Sequence, residues 1–351
     1  QFDDFDPTPG QGSPGDEGQG GDEGEGLSGD DEQFEAACEV CEQLQQRLLR
    51  DAGPAAAAIE GDFDEPTYGL ENIVGVGVGE TATGEPCVQV YVSHKPESRD
   101  QVQAEAAVSE DIDGVRVEHV EVGEFFAQVN PRAKYRPAPG GVSISPADKR
   151  YSGTLGGLVC RGRELYALSN HHVLVGNCDG AGRKGKPIVQ PSIPDGGKPT
   201  DVIATLSEWV PINFRGGANK VDAAIARTNA KLCRPEILGI GRPSRTAVAP
   251  RIGLNVRKCG RTTAVTVGRV TAVNVSVRVN YGACGIALMT GQFMVRSTVA
   301  GRSFSQPGDS GSLVLAQPGN HPVGLLFAGN GTDTICNPIS EVLRALRVTL
   351  A

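Results

Sequence analysis

At 351 residues the chain can hold one large β-rich domain and an accessory piece, so core size sets no limit. Its net charge of −9 is local: residues 1–46 carry 14 Asp and Glu with no Lys or Arg, leaving the remainder at +5 without the large basic surface that nucleic acid demands. No run of about 18 apolar residues occurs, so no membrane-spanning helix is expected, and the opening QFDDFDPTPG has neither the basic head nor the apolar stretch of a secretory leader.

Residues 1–33 are rich in Gly, Asp, Glu and Pro and too poor in apolar side chains to offset the entropy of ordering, which predicts a disordered acidic tail. Within residues 34–69, QFEAACEVCEQLQQRLLR places Phe34, Cys38, Cys41, Leu44 and Leu48 at helical spacing. That short amphipathic helix must dock on the chain or pair with a copy of itself, one route to a homo-oligomer. Cys38 and Cys41 form a C-x-x-C pair, but one pair cannot complete a tetrahedral zinc site and no second pair lies nearby, so they are read as packing thiols. No metal site and no cofactor is expected.

Residues 70–130 read as a small β-β-α-β unit, a second candidate surface for self-association. Val74, Val76 and Val78 alternate with glycine, CVQVYVSHK and GVRVEHVEVG supply two more strands, and ESRDQVQAEAAV has helical composition. The glycines at 75, 77 and 79 do not complete G-x-G-x-x-G, because Glu80 and Ala82 stand where a glycine is needed. After the Pro-rich link NPRAKYRPAPGG, residues 141–351 consist of short strand-like runs (GTLGGLVC, RELYALSN, DVIATLSEWV, GSLVLA, PVGLLFAG) separated by Gly, Pro and Asn turns, with one helix, PISEVLRALRV, at the end. Such a pattern indicates a barrel or sandwich and excludes a parallel sheet, which needs helical crossovers. The nine cysteines are odd in number and scattered, which favours free thiols in a reducing, cytoplasmic setting. The basic loop GRKGKP at 182–187 is read as solvated surface.

The chemistry-bearing stretch is FSQPGDSGSLVLAQ, which sets Ser310 between Asp309 and Gly311 just before a strand. A serine hydroxyl becomes a nucleophile only beside a base that an acid orients. Of the five histidines, His94, His119 and His321 lie in the accessory unit or a turn, leaving the pair His171 and His172 in ALSNHHVLVG, with one ring expected outward and one inward. Asp222 sits among apolar neighbours in NKVDAAIAR, where an ionised group must find compensating hydrogen bonds, whereas its rivals Asp179 and Asp201 lie in turns and are read as solvated. The order is then His, Asp, Ser, separated by 50 and 88 residues. Gly308 and Gly311 permit a bend that presents Ser310 and lets the Gly308 and Ser310 amides converge on one oxyanion, with Asp309 turned inward to hold the loop.

LSNHHVL, VDAAIA and GDSGSLV together resemble the histidine, aspartate and nucleophile segments of trypsin-like serine peptidases. VRKCGRTTAVTVGRVTAVNVSV, IVQPSIPDGG and VGLLFAGNGTDTICNPISEVLRAL are similar to bacterial relatives of the plant Narrow-leaf-type peptidases, as is the unit before the protease segment. The resemblance implies two six-stranded Greek-key barrels over residues 141–351, a polypeptide substrate in the cleft between them, His172 as base with His171 its neighbour, and an acyl-enzyme route. It also implies Phe304 at the base of the primary pocket and Phe327, Ala328 and Gly329 along the substrate backbone. No acid stands at 304, so small or apolar residues are expected before the scissile bond. No activation cleavage site precedes GGVSIS. The competing expectation is a protease-fold scaffold that recruits partners through its N-terminal regions while Ser310 is idle.

Overall fold

The computed structural model describes residues 29–51, 73–92, 110–122, 129–176 and 182–351. The expected helix at 97–108, most of the acidic tail and Asp179 lie outside these residues. The chain divides into two units, with Val120–Ala351 in the larger.

Helix α1 (Gly29–Asp51) takes in the last five residues of the stretch expected to be disordered. Asp31 and Glu32 fall in its first turn, where acidic side chains complement the exposed amides. Its buried line is Ala37, Val40, Cys41 and Leu44, an i, i+3, i+4, i+7 stripe, while Phe34, expected on that face, is 52% exposed. Cys38 and Cys41 are free thiols. A four-stranded sheet follows, built from β1 (Ile73–Glu80), β2 (Pro86–Val92), β3 (Asp111–Ile112) and β4 (Val115–Glu121) in the order β1-β2-β4-β3. The short β3 is the addition to the expected strands; it forms a tight hairpin with β4 about Asp113 and Gly114, both at positive φ.

The chain from Val129 is mainly β. Its first sheet contains β6 (Ser143–Pro146), β7 (Gly153–Thr154), β8 (Gly157–Arg161), β9 (Glu164–Ser169), β10 (Pro187–Val189), β11 (Val202–Trp209) and β13 (Ala224–Thr228), with β21 (Thr349–Leu350) at one edge. The pairing order is β21-β8-β9-β13-β11-β10-β6-β7. Strand β7 pairs with β6 and runs through Leu155 and Gly156 directly into β8, so the sheet closes on itself as six strands.

The second sheet contains β15 (Asn255–Gly260), β16 (Ala264–Asn280), β17 (Ile286–Ser297), β18 (Leu313–Ala316), β19 (Pro322–Gly329) and β20 (Asp333–Pro338). These pair in the order β17-β16-β15-β18-β19-β20, and β17 also pairs with β20, completing a six-strand ring. Short β12 (Ala218–Asn219) adds to β17, and β14 (Cys233–Ile237) pairs with β5 (Ala138–Gly140) on the way between the rings. In chain order both rings read first-second-third-sixth-fifth-fourth, a Greek-key arrangement.

Strand residues explain the packing. In β9, Leu165 and Ala167 face the core of the first ring while Tyr166 and Leu168 face a second core shared with the other ring; Leu313 and Leu315 of β18 enter that shared core from the opposite side, and Val314 and Ala316 turn into the second ring's own core. Strands buried on both faces need unbroken apolar runs, which is what LYAL and LVLA are. Helix α3 (Ile339–Leu346) seals the shared core with Ile339, Val342 and Leu346.

Candidate active site

The nucleophile segment is a loop between β17 and β18, and its shape depends on two glycines at φ +101° (Gly308) and +96° (Gly311). A Cβ on Gly311 would come within 2.2 Å of Ser169 Oγ, so the loop can press against β9 only without a side chain there. Asp309, fully buried, anchors the bend from inside. Its Oδ1 accepts from the Thr262 and Thr263 amides (2.7 and 3.2 Å), and its Oδ2 from the Gln306 amide (2.9 Å), the Thr263 hydroxyl (2.7 Å) and Lys258 Nζ (3.3 Å). Burial alone would raise this carboxyl; Lys258 and the surrounding donors outweigh it and hold the group below the ordinary carboxylate range.

Lys258 is 0% exposed, with its ammonium also hydrogen-bonded to Thr263 Oγ1 and the Ala264 carbonyl. A buried cation thus neutralises Asp309 from within the chain. Sequence reasoning missed this partner, although a signal exists: Val256 and Lys258 alternate on one side of β15, and Val256 is itself fully buried.

Four carbonyls around Ser310 are each taken. Thr262 Oγ1 donates to Pro307 O (2.7 Å), Thr154 Oγ1 to Gly308 O (2.9 Å), the Ser312 amide and hydroxyl to Asp309 O (3.0 and 2.5 Å), and the Thr154 amide to Ser310 O (2.8 Å). In a trans peptide the N–H lies opposite its C=O. Holding Pro307 O and Asp309 O therefore turns the Gly308 and Ser310 N–H groups the other way, and among the described residues neither amide has an acceptor. The segment that does the holding is itself tied to the first ring: Arg261 makes a two-pronged pair with Asp195 (2.6 and 2.9 Å). Burial pushes Asp195 up, but Arg261, Ser143 and Ser192 prevail and bring it down to about 2.

His171 and His172 form the one-turn helix α2 (His171–Leu174) that ends β9. His171 is buried, and its Nδ1–H donates to Val210 O (2.7 Å). His172 is half-buried, its Nδ1 2.6 Å from Asp222 Oδ2. A carboxylate only accepts, so Nδ1 carries the proton and Nε2 is left as the acceptor. Asp222, 0% exposed just before β13, also takes the His172 amide on Oδ1 (3.2 Å) and the Tyr281 hydroxyl on Oδ2 (3.0 Å). Desolvation raises its pKa; the neighbouring His172, His171 and Tyr281 overcome that and keep it depressed. Asn337 Oδ1 accepts from the Asp222 amide (3.0 Å) and Asn170 Nδ2 donates to the Asp222 carbonyl (2.8 Å), fixing the residue's backbone. Asp201, the rival carboxylate, is paired with the exposed Lys134 (2.5 Å).

A cleft of about 920 Å³ is lined by His172, Gly308, Ser310, Phe327, Ala328 and Gly329, together with Tyr281, Ser305 and the strand Val275–Asn280. The Ser310 hydroxyl donates to Phe327 O at 3.4 Å. Pairing of β19 with β18 ends at Leu313↔Leu325, so the Phe327–Gly329 edge beyond it lies open beside Ser310. Phe304 requires a correction. Its side chain is 0% exposed in the core of the second ring with Val256, Val270 and Phe293, and it does not border the cleft. Gly268 makes room for it, since a Cβ there would meet Phe304 Cδ2 at 2.7 Å. Ser305 takes the cleft position instead, its hydroxyl 2.6 Å from Thr334 Oγ1.

Cys284, at the tip of the β16–β17 hairpin, is disulfide-bonded, while seven of the described cysteines are free. Among the described residues no group of three or more His, Cys, Asp and Glu could hold a metal ion, and no helix is long and apolar enough to cross a membrane.

No protein-family model matches the chain, and no curated protein matches it in sequence. Solved structures align with about three fifths of it. Protease A of Thermobifida fusca is 19% identical, with 61% of this chain and 97% of that one covered at a TM-score of 0.43. Chymotrypsin of Cellulomonas bogoriensis is 22% identical (61% and 98%, 0.42), and a glutamic-acid-specific serine protease described as using a histidine triad in substrate binding is 23% identical (61% and 100%, 0.43).

Proposed function

We propose that the chain is a serine endopeptidase in which Ser310 attacks a peptide carbonyl, His172 accepts its proton, and Asp222 holds the imidazole tautomer and stabilises its charged form. The observation that carries this reading is the 2.6 Å contact between His172 Nδ1 and buried Asp222, on the same cleft as Ser310 and beside two amides without acceptors. Turning the Ser310 hydroxyl from Phe327 O toward Nε2 readies the nucleophile, and such hydrogen bonds commonly tighten only once substrate is bound. The Gly308 and Ser310 amides then receive the negative oxygen of the tetrahedral intermediate. The imidazolium returns its proton to the leaving amine, and water, activated by the same ring, releases the acyl group from Ser310.

An extended substrate adds as an antiparallel strand to the open edge at Phe327–Gly329. The Ser305–Thr334 hydroxyl pair closes the pocket beside Gly329. Asp333, which also lines the cleft, is neutralised by Arg296 at 2.8 Å. That combination supports small or apolar residues, rather than Lys or Arg, before the scissile bond.

Covalent labelling tests the reading. A fluorophosphonate is expected to label the wild-type chain and leave Ser310→Ala unlabelled; a wild type that stays unlabelled across neutral and mildly alkaline pH would count against an active peptidase and favour the idle scaffold or a latent state. Thr262 provides a finer check. Thr262→Val frees the Pro307–Gly308 peptide to turn and lowers kcat about tenfold to a hundredfold with KM little altered, because preorganised oxyanion donors act mainly in the transition state. Thr262→Ser, which keeps the hydroxyl, retains most of the rate.

A further inference from the structure

We infer that Tyr281 is a positioning residue: from the tip of the long β16–β17 ribbon its hydroxyl reaches the carboxylate of the opposite ring, holding Asp222 against His172 and setting the pH range in which that imidazole serves as base. The inference rests on the proposed hydrolytic reading for its consequence, though not for its geometry.

Asp222 is gripped from three directions. Its own ring supplies the His172 amide and imidazole; the Tyr281 hydroxyl donates to Oδ2 at 3.0 Å, the same oxygen that His172 Nδ1 approaches at 2.6 Å. Without Tyr281, Oδ2 would have a single donor in a fully buried setting, where an unmet acceptor is costly. The Tyr281 ring is fixed as well. Its edge packs against Phe214 (centroids 5.6 Å apart, 80° between planes) and against the His172 ring (5.9 Å, 67°). The backbone behind it is closed by Tyr281 N–H donating to Gly285 O at 2.9 Å. A phenol that is rigid and desolvated donates and does not ionise; burial and the adjacent carboxylate push its pKa far upward.

The charge environment of the pair is sparse. His171 and His172 come from α2, and Tyr281 from the ribbon; Asn170 and Asn337, which hold the Asp222 backbone, are neutral. Lys220 points toward Gly291 of β17, and Arg278 lines the cleft farther along the ribbon. Donation by Tyr281 spreads part of the carboxylate charge onto the phenol. Removing the oxygen leaves that charge concentrated on the atom facing His172, which favours imidazolium.

Tyr281→Phe keeps the ring and its edge contacts and deletes only the donor. The acid limb of the kcat/KM pH profile is then expected to move up by about half to one pH unit, a rate loss of about three- to tenfold at the foot of the limb that recovers at higher pH, with KM unchanged. The same displacement is read without any turnover from the His172 imidazole resonance in Ser310→Ala and Ser310→Ala/Tyr281→Phe, assigned with His172→Ala. A midpoint that stays within 0.2 pH unit in both experiments overturns the assignment, as does a uniform loss of rate at every pH. If the wild type neither hydrolyses nor takes the label, the peptidase reading falls while the resonance measurement still decides the role of Tyr281.

Discussion

On the proposed peptidase reading, Asp222→Asn is expected to lower kcat by about four orders of magnitude while the barrels stay folded. The carboxylate holds the proton on Nδ1 of His172 across 2.6 Å and leaves Nε2 as the acceptor. An amide in its place fits the same space but can present N–H to the ring, which favours the tautomer with Nε2 protonated and unable to take the serine proton. Stability is expected to change little, because the substitution removes the desolvation cost of a fully buried charge together with its hydrogen bonds. Steady-state kinetics on a peptide substrate, alongside thermal melts, checks both halves. A loss of under tenfold with an intact fold would mean that the imidazole is not oriented by this carboxylate.

Lys258→Met is expected to be the most destabilising single change near the site. It strands the Asp309 carboxylate without its cation in a 0% exposed position, and breaking a buried ion pair from one side costs about 3–5 kcal/mol. For a unit of this size that is a fall in melting temperature of about 10 °C. The double variant Lys258→Met/Asp309→Asn recovers most of it, since no charge is then left unpaired. Labelling of Ser310 slows in the single variant because Asp309 accepts from Gln306, Thr262 and Thr263, the residues that shape the loop. The pH dependence has a definite sign. Asp309 is held below its unfolded pKa, so its contribution is complete above the ordinary carboxylate range and is lost as pH falls through the depressed value. The gap between wild type and Lys258→Met therefore narrows on acidification. Melts that differ by less than about 1 °C at pH 7 would show that the pair does not stabilise the fold.

Much of the architecture was legible because β-strands of a closed ring carry their burial pattern locally. LYAL, AAIAR and LVLA announce strands whose alternate residues enter different cores, and Gly, Pro and Asn mark the turns between them. The loop around Ser310 was equally readable, since only glycine accepts the backbone at 308 and 311. Asp222 could be singled out from Asp201 because its apolar neighbours demanded a partner.

Other features lay beyond local pattern. The family resemblance pointed to Phe304 for the base of the pocket, yet which way that side chain points depends on the space above Gly268, a residue 36 positions earlier. The C-terminal boundary of the tail moved because acidic residues that oppose burial also favour a helix start.

What the amino-acid order determined by itself was the run of short strands, the glycine bend, and the three kinds of side chain able to cooperate, all properties of residues close together in the chain. Only the tertiary structure decided that Lys258 neutralises Asp309, that Thr262 fixes the peptide before Gly308, and that Tyr281 reaches Asp222. Those contacts join positions 45 to 59 residues apart. A hydrogen bond or ion pair of that span is chosen by how the strands of one ring close and how far a ribbon reaches toward the other, quantities that no local stretch of sequence encodes.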